Sequence, residues 1–225
     1  MPDGPCPEAT LRAGLAALGL DATPDQLARW QAHLALVARW NRVYNLTRIT
    51  TPADMCVRHL LDSLSVAPHL RGGHLVDVGS GAGFPGLPLV VLHPEWHVTL
   101  VDAAAKRVRF LRQAVLELGL DNVTVVQGRV AELALARPAD EVICRAFADL
   151  AAFVADSRHL LRPGGRLLAM KGALPEAELS ALPEGIAYTV TPLAVPGLSA
   201  RRHLISLIPD HDQDHRHRQP EGGSG

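Results

Sequence analysis

Apolar positions change rhythm once along this chain. Leu27, Trp30, Leu34, Val37 and Tyr44 recur at helical spacing, with Arg29, Gln31 and Arg39 on the other side. Thr23-Pro24-Asp25-Gln26 marks the helix start: Thr as N-cap, Pro at the first helical position, Gln closing a capping box. A second start, Thr51-Pro52-Ala53-Asp54, opens the helix that carries "VRHLLDSL". Residues 1–70 therefore read as a small N-terminal helical cap.

From His74 the apolar residues come in short β-rich runs: 74–78, 97–102, 123–127, 140–146 and 165–171. Helical segments are expected near 86–92, 104–118 and 149–161. Regular alternation of strand and helix predicts a parallel sheet with right-handed crossovers. After Lys171 a short helix near 175–181 precedes "AYTVTPLAV" and "RHLISLI", which read as a closing hairpin with an antiparallel strand. The predicted fold class is α/β, Rossmann-like, with a mostly parallel seven-stranded sheet over residues 71–209. The polar, His-rich stretch 210–225 is predicted to be disordered; no functional metal site is expected there.

The stretch "DVGSGAGFPG", 77–86, holds the candidate chemistry. Gly81, Gly83 and Gly86 spell the G-x-G-x-x-G of dinucleotide sites. Asp77, Gly79, Gly81 and Gly83 spell the D-x-G-x-G-x-G loop of methyltransferases that use S-adenosylmethionine. Both need glycines where a strand turns tightly into a helix beside a ligand. A pyrophosphate is repelled by Asp77, whereas an ammonium is attracted to it directly or through water; a plain loop-capping role is the alternative. Asp102 ends the second strand, where a carboxylate can accept from both ribose hydroxyls under either reading. The antiparallel ending favours the methyltransferase sheet.

Charge and cysteine content narrow the class. A formal net charge of −1 gives no global pull toward nucleic acid, so any RNA surface must be a local basic patch. Cys6, Cys56 and Cys144 are far apart and odd in number, which argues against a disulfide framework or a zinc knuckle and fits a reducing cytoplasm. No signal peptide and no membrane span are expected; the chain reads as cytoplasmic and monomeric.

With "RWNRVYNLT" (39–47), "RHLLDSL" (58–64), the glycine loop, "KRVRFLRQ" (106–113), "CRAF" (144–147), "LAMKG" (168–172) and "RRHLI" (201–205) in order, the chain resembles the glucose-inhibited division protein B family. The resemblance runs to about Pro209. It implies a guanine-N7 methyltransferase acting on 16S ribosomal RNA or the small subunit, at guanine 527 of the 530 loop in standard rRNA numbering. It also implies that Gly79, Phe84, Asp102, Ala103, Val130, Ala131 and Arg145 surround S-adenosylmethionine, with Arg145 also bordering the substrate.

Guanine N7 carries a lone pair and no proton, so in-line transfer needs positioning and no dedicated general base. "CRAF" stands where amine methyltransferases place N/D-P-P-Y/F. Phe147 is a candidate for stacking on a flipped base or a core residue, Arg145 for a base or phosphate contact or a structural ion pair. Cys144 is either a lowered-pKa thiol or a small buried hydrophobe. Asn45, Thr47, Arg58, His59 and Asp62 read as a polar cluster joining cap and sheet. Lys106, Arg109 and Arg112, with Arg58, Lys171, Arg201 and Arg202, are the RNA-contact candidates. Two other classes stay open: an NAD-dependent oxidoreductase and a non-enzymatic RNA-binding assembly factor.

Overall fold

The computed structural model describes residues 6–145, 147 and 149–210; most of the predicted tail lies outside them. Helices α1 (Glu8–Ala17) and α2 (Pro24–Tyr44) come first. A composite helix follows: α3 (Pro52–Met55) widens into a π-turn (Cys56–Leu61) and returns to α geometry as α4 (Asp62–Leu64). Thr23 and Gln26 form the capping box, and Gln26 Nε2 reaches on to the carbonyls of Val91 and Leu92 at 3.0 and 2.9 Å. The cap residue thus also fastens α2 to α5 (Gly86–Leu92).

The remaining elements are β1 (His74–Val78), β2 (His97–Asp102), α6 (Ala105–Leu118), β3 (Val123–Gln127), β4 (Ala139–Cys144), α7 (Leu150–Ser157), β5 (Leu161–Lys171), α8 (Glu176–Ser180), β6 (Ile186–Leu193) and β7 (Arg202–Pro209). Among the described residues seven strands form one sheet in the order β3-β2-β1-β4-β5-β7-β6. β7 alone runs against the direction of the other six strands, lodged antiparallel between β5 and β6. Strand order reverses at β1, which is flanked by β2 and β4. In such sheets the crevice at the strands' carboxyl ends is the natural ligand site.

Period-two alternation sorts the sheet's side chains to two cores. Leu75, Leu100, Ile143 and Leu168 join Leu11, Trp30, Leu34 and Leu60 on one face, so the N-terminal helices share a continuous core with the sheet. Val76, Val142, Cys144 and Leu167 pack with Phe153 on the other. No α-helix bridges β3 and β4; a 3₁₀ turn (Val130–Glu132) stands there instead.

Three expectations need correction. β4 stops at Cys144, so Arg145 and Phe147 lie past the strand end. β5 starts four residues early, at Leu161, because a register shift opposite Asp140 absorbs Pro163-Gly164-Gly165. Cys6 and Cys56 form a disulfide with Cα atoms 5.0 Å apart, against the expectation of free thiols. Cys6 directly precedes α1, which packs on the π-turn that holds Cys56, so tertiary packing joins residues 50 positions apart.

On the central strand β4, buried Glu141 accepts from Arg166 Nε at 2.6 Å and from the Arg71 amide at 3.0 Å. Removing one partner of such a pair strands the other charge away from water. Glu141→Gln should lower the unfolding free energy by about 3 kcal/mol in urea titration. Adding Arg166→Met should restore more than half of that; an additive loss would show that the two side chains do not act as a pair.

Candidate functional site

Asp77 ends up fully buried beneath the glycine loop, not facing the cleft as the sequence suggested. Its Oδ2 accepts the Gly86 amide at 2.9 Å at the start of α5. A Cβ on Gly86 would come within 2.4 Å of Leu100 Cδ2 and 2.8 Å of that oxygen, so the β2 leucine and the acid together require glycine there. Oδ1 has no hydrogen-bond partner. Burial pushes this carboxyl up to about 7, opposed by the Gly86 amide and the charge of Arg145. The loop-capping alternative therefore describes half of the side chain and leaves one oxygen unmatched.

Beside the loop lies a cleft of about 540 Å³ lined by Gly79, Asp102, Ala103, Val130, Ala131 and Phe147, among others. Gly79 has φ +71°, and a Cβ there would meet nothing within 4 Å; the backbone leaves open space for a ligand. Asp102 Oδ2 accepts from Gly81 N at 3.0 Å and Oδ1 from Ala104 N at 2.8 Å. Oδ2 also faces Arg107 NH1 at 3.5 Å, while Oδ1 keeps a second lone pair for a ribose hydroxyl. The 3₁₀ turn carries Val130 and Ala131 to the opposite wall. Phe147 lines this wall while its ring packs 5.2 Å from Phe153, so cleft and core share it.

Phe84 departs from its expected place. Its ring is buried, with His33 and His59 each stacked at 4.6 Å and the Arg145 guanidinium 5.3 Å away. Burial lowers His33 to about 4, partly opposed by its hydrogen bond to the Ala82 carbonyl at 2.8 Å. Burial, then the charges of Arg145 and His33, lower His59 to about 3. Both rings are neutral near pH 7.

A second cavity, about 350 Å³, is walled by Arg58, His59, Asp62, Arg145, Lys171 and Arg202 with Ile49, Met170 and Gly172. Asp62 and His59 face different partners. Asp62 binds Arg202 Nε at 2.8 Å and lies 3.6 Å from Arg145, while His59 Nε2 contacts Thr47 Oγ1 at 2.9 Å. Lys171 is not an open phosphate contact: its ammonium binds both Glu178 oxygens at 2.8 and 3.1 Å and the Phe147 carbonyl at 3.1 Å. That last bond links a wall residue of one cavity, Lys171, to a wall residue of the other, Phe147.

Arg109, Arg112 and Arg201 are exposed, as is Lys106, whose Nζ contacts the Tyr44 carbonyl at 3.2 Å. Asn45, in left-handed geometry at φ 49°, caps α2 outside the cavity wall. Cys144 is buried and its thiol is pushed up by burial, which excludes the lowered-pKa reading. Sequence reasoning missed His33 and Ser80. His33 falls on the apolar stripe of α2, one position before Leu34, and that placement was the available signal. Ser80 Oγ donates to the Asp77 carbonyl at 2.8 Å and accepts from Val101 N at 3.1 Å, pinning the loop to β2.

A family model described as "rRNA small subunit methyltransferase G" matches residues 26–205. The protein of that name from Methylococcus capsulatus is 49% identical over 199 residues, covering 88% of this chain and 97% of its own length. The one from Chromohalobacter salexigens is 52% identical over 204 residues, covering 90% and 98%. Among solved structures, the glycopeptide N-methyltransferase MtfA aligns with TM-score 0.56 at 16% identity, covering 68% of this chain and 96% of its own. TrmN from Thermus thermophilus aligns with TM-score 0.53 at 21%, covering 79% and 53%. At these identities the structures establish the fold alone.

The buried groups give opposite pH signatures. His33 and His59 titrate below their unfolded value near 6.5, so the unfolded chain takes up protons first and stability falls as pH drops from about 6.5 toward 4. Asp77 titrates above its unfolded 3.8, so the native state holds the extra proton and stability falls as pH rises from about 4 to 7. Asp77→Asn removes the second effect. Its unfolding midpoint relative to the unsubstituted protein should climb between about pH 4 and 7 and level off above. A pH-independent difference would show that Asp77 is ionised throughout.

Proposed function

The chain belongs to the rRNA small subunit methyltransferase G family, and on that premise we propose that it methylates N7 of a guanine in 16S ribosomal RNA. Guanine 527 of the 530 loop is the expected target, in standard rRNA numbering. The observation that carries this reading is the contact between Lys171, on the wall of a basic cavity, and the carbonyl of Phe147, on the wall of an adenosine-sized cleft.

The cleft residues fit S-adenosylmethionine. Asp102 would hold the ribose hydroxyls, Gly79 would let the backbone approach, and the turn at Val130 and Ala131 would flank the adenine. Asp77, buried beneath the loop, would serve the cofactor by holding the loop's glycine turn in place. When bound, this cofactor supplies a methyl group on a positively charged sulfur. The dinucleotide register of the loop fits poorly. A pyrophosphate needs the amides at the start of α5, and Asp77 already takes that of Gly86.

Arg145 and Phe147 would border the guanine, and the attacking nitrogen needs no deprotonation. His59, the imidazole of the cavity, titrates near 3 and is a poor base at neutral pH. Catalysis then rests on holding N7 in line with the methyl group. The exposed Lys106, Arg109 and Arg112 face would meet RNA phosphates outside the pocket. A binding-only assembly role would leave the fitted cleft without a use.

Labelled methyl transfer to small-subunit RNA lacking the modification, with mapping of the product, tests the reading directly. A single 7-methylguanine at position 527 is expected, with single-turnover rates flat between about pH 6.5 and 8.5. No transfer to the RNA or to the small subunit would overturn it. The two sites should also separate by mutation. Asp102→Asn should weaken cofactor binding about tenfold and leave the salt dependence of RNA binding alone. Arg109→Ala should do the reverse, reducing the slope of log K against log[salt] by up to about one unit.

A further inference from the structure

We propose that Asp62 is the positioning residue of the basic cavity, holding Arg145 and Arg202 as a two-guanidinium site for a backbone phosphate of the RNA. The proposal rests on the RNA-methyltransferase reading above and adds a residue and a ligand group to it.

The π-turn makes the arrangement possible. It brings three acceptors from one short stretch to Arg145: the Arg58 carbonyl at 3.4 Å, His59 Nδ1 at 3.4 Å and Asp62 Oδ2 at 3.6 Å. All three contacts are long, so the guanidinium is aimed without being saturated. Arginine only donates, so His59 Nδ1 must accept; Nε2 then carries the proton and donates to Thr47 Oγ1. Arg202 arrives from β7, on the other side of the cavity. Its Nε binds Asp62 Oδ1 and its NH1 the Arg201 carbonyl at 3.0 Å, while NH2 makes no bond among the described residues.

With Lys171 neutralised by Glu178, the wall carries three guanidiniums and one carboxylate, leaving two positive charges in excess. Asp62 is almost fully buried and shared between two cations that otherwise repel each other. A tetrahedral oxyanion with several acceptors suits such a paired fork, and guanidinium is the side chain best matched to it.

The proposal has an unusual sign. If Asp62 were only a counter-charge, Asp62→Asn would make the cavity more positive and tighten RNA binding. If it positions the arginines, they part and binding weakens. Steady-state methyl transfer at saturating cofactor should give an RNA KM at least tenfold higher for Asp62→Asn, with kcat reduced less than threefold. Arg202→Lys keeps the charge but loses the fork; its KM should rise nearly as far as that of Arg202→Met, with cofactor affinity within twofold of the unsubstituted protein. Adding Asp62→Asn to Arg202→Met should raise KM less than threefold further, because the two act through one site. An unchanged or lower KM for Asp62→Asn, or full activity of Arg202→Lys, would overturn the proposal. Should Asp62→Asn fail to fold, the Arg202 pair decides alone. Absence of transfer by the unsubstituted protein would instead count against the RNA reading.

Discussion

The hydrogen bond between the Asp77 carboxylate and the Gly86 amide fixes the place of everything around it. A charged-type group sits inside the sheet's core, where water cannot reach, to hold the last turn of the glycine loop against β1. Because the acid and Leu100 occupy that space, residue 86 can carry no side chain. The loop is then drawn tight enough for Gly81 to reach Asp102, and Phe84 is driven inward. The cost is a buried oxygen with no hydrogen-bond partner.

Phe84 carries the consequence across the molecule. It is the middle ring of a stack that runs from His33 on α2 to His59 on the π-turn. Two imidazoles packed on an apolar ring lose their hydration, so both stay neutral and one of them can accept from an arginine. Cofactor loop and basic cavity are thus built on one packed unit. Side-chain chemistry that looks polar in the sequence works here as packing.

What could be read from the sequence follows distance along the chain. β1, β2 and β3 were legible because each is a run of β-formers bounded by turn residues. Asp102 and Gly79 were legible because strand ends and glycine turns are local events. β5 was shortened in the reading because Pro163-Gly164-Gly165 looks like a loop, and only its pairing with β4 shows the irregularity to be absorbed. The same limit hid the pairing of Asp62 with Arg202 and the bond from Cys6 to Cys56. Neither has a local signature. Lys171 was misjudged for a related reason: its positive charge was visible, but Glu178 could be matched to it only once α8 had folded back.

The reversed direction of β7 has a kinetic side. Running against its neighbours, it begins at the edge of the sheet where the parallel strands end, and so delivers Arg202 to the cavity. A parallel strand in that slot would put its first residue at the opposite edge. The contact it makes spans 140 positions, one of the longest loops the fold has to close. Contacts of such separation give nothing back until most of the chain is already ordered. A partly folded molecule with its first four strands assembled would therefore own a cofactor loop and half a cavity. Capacity to grip a phosphate between two arginines becomes a late acquisition, gained only when the closing hairpin docks.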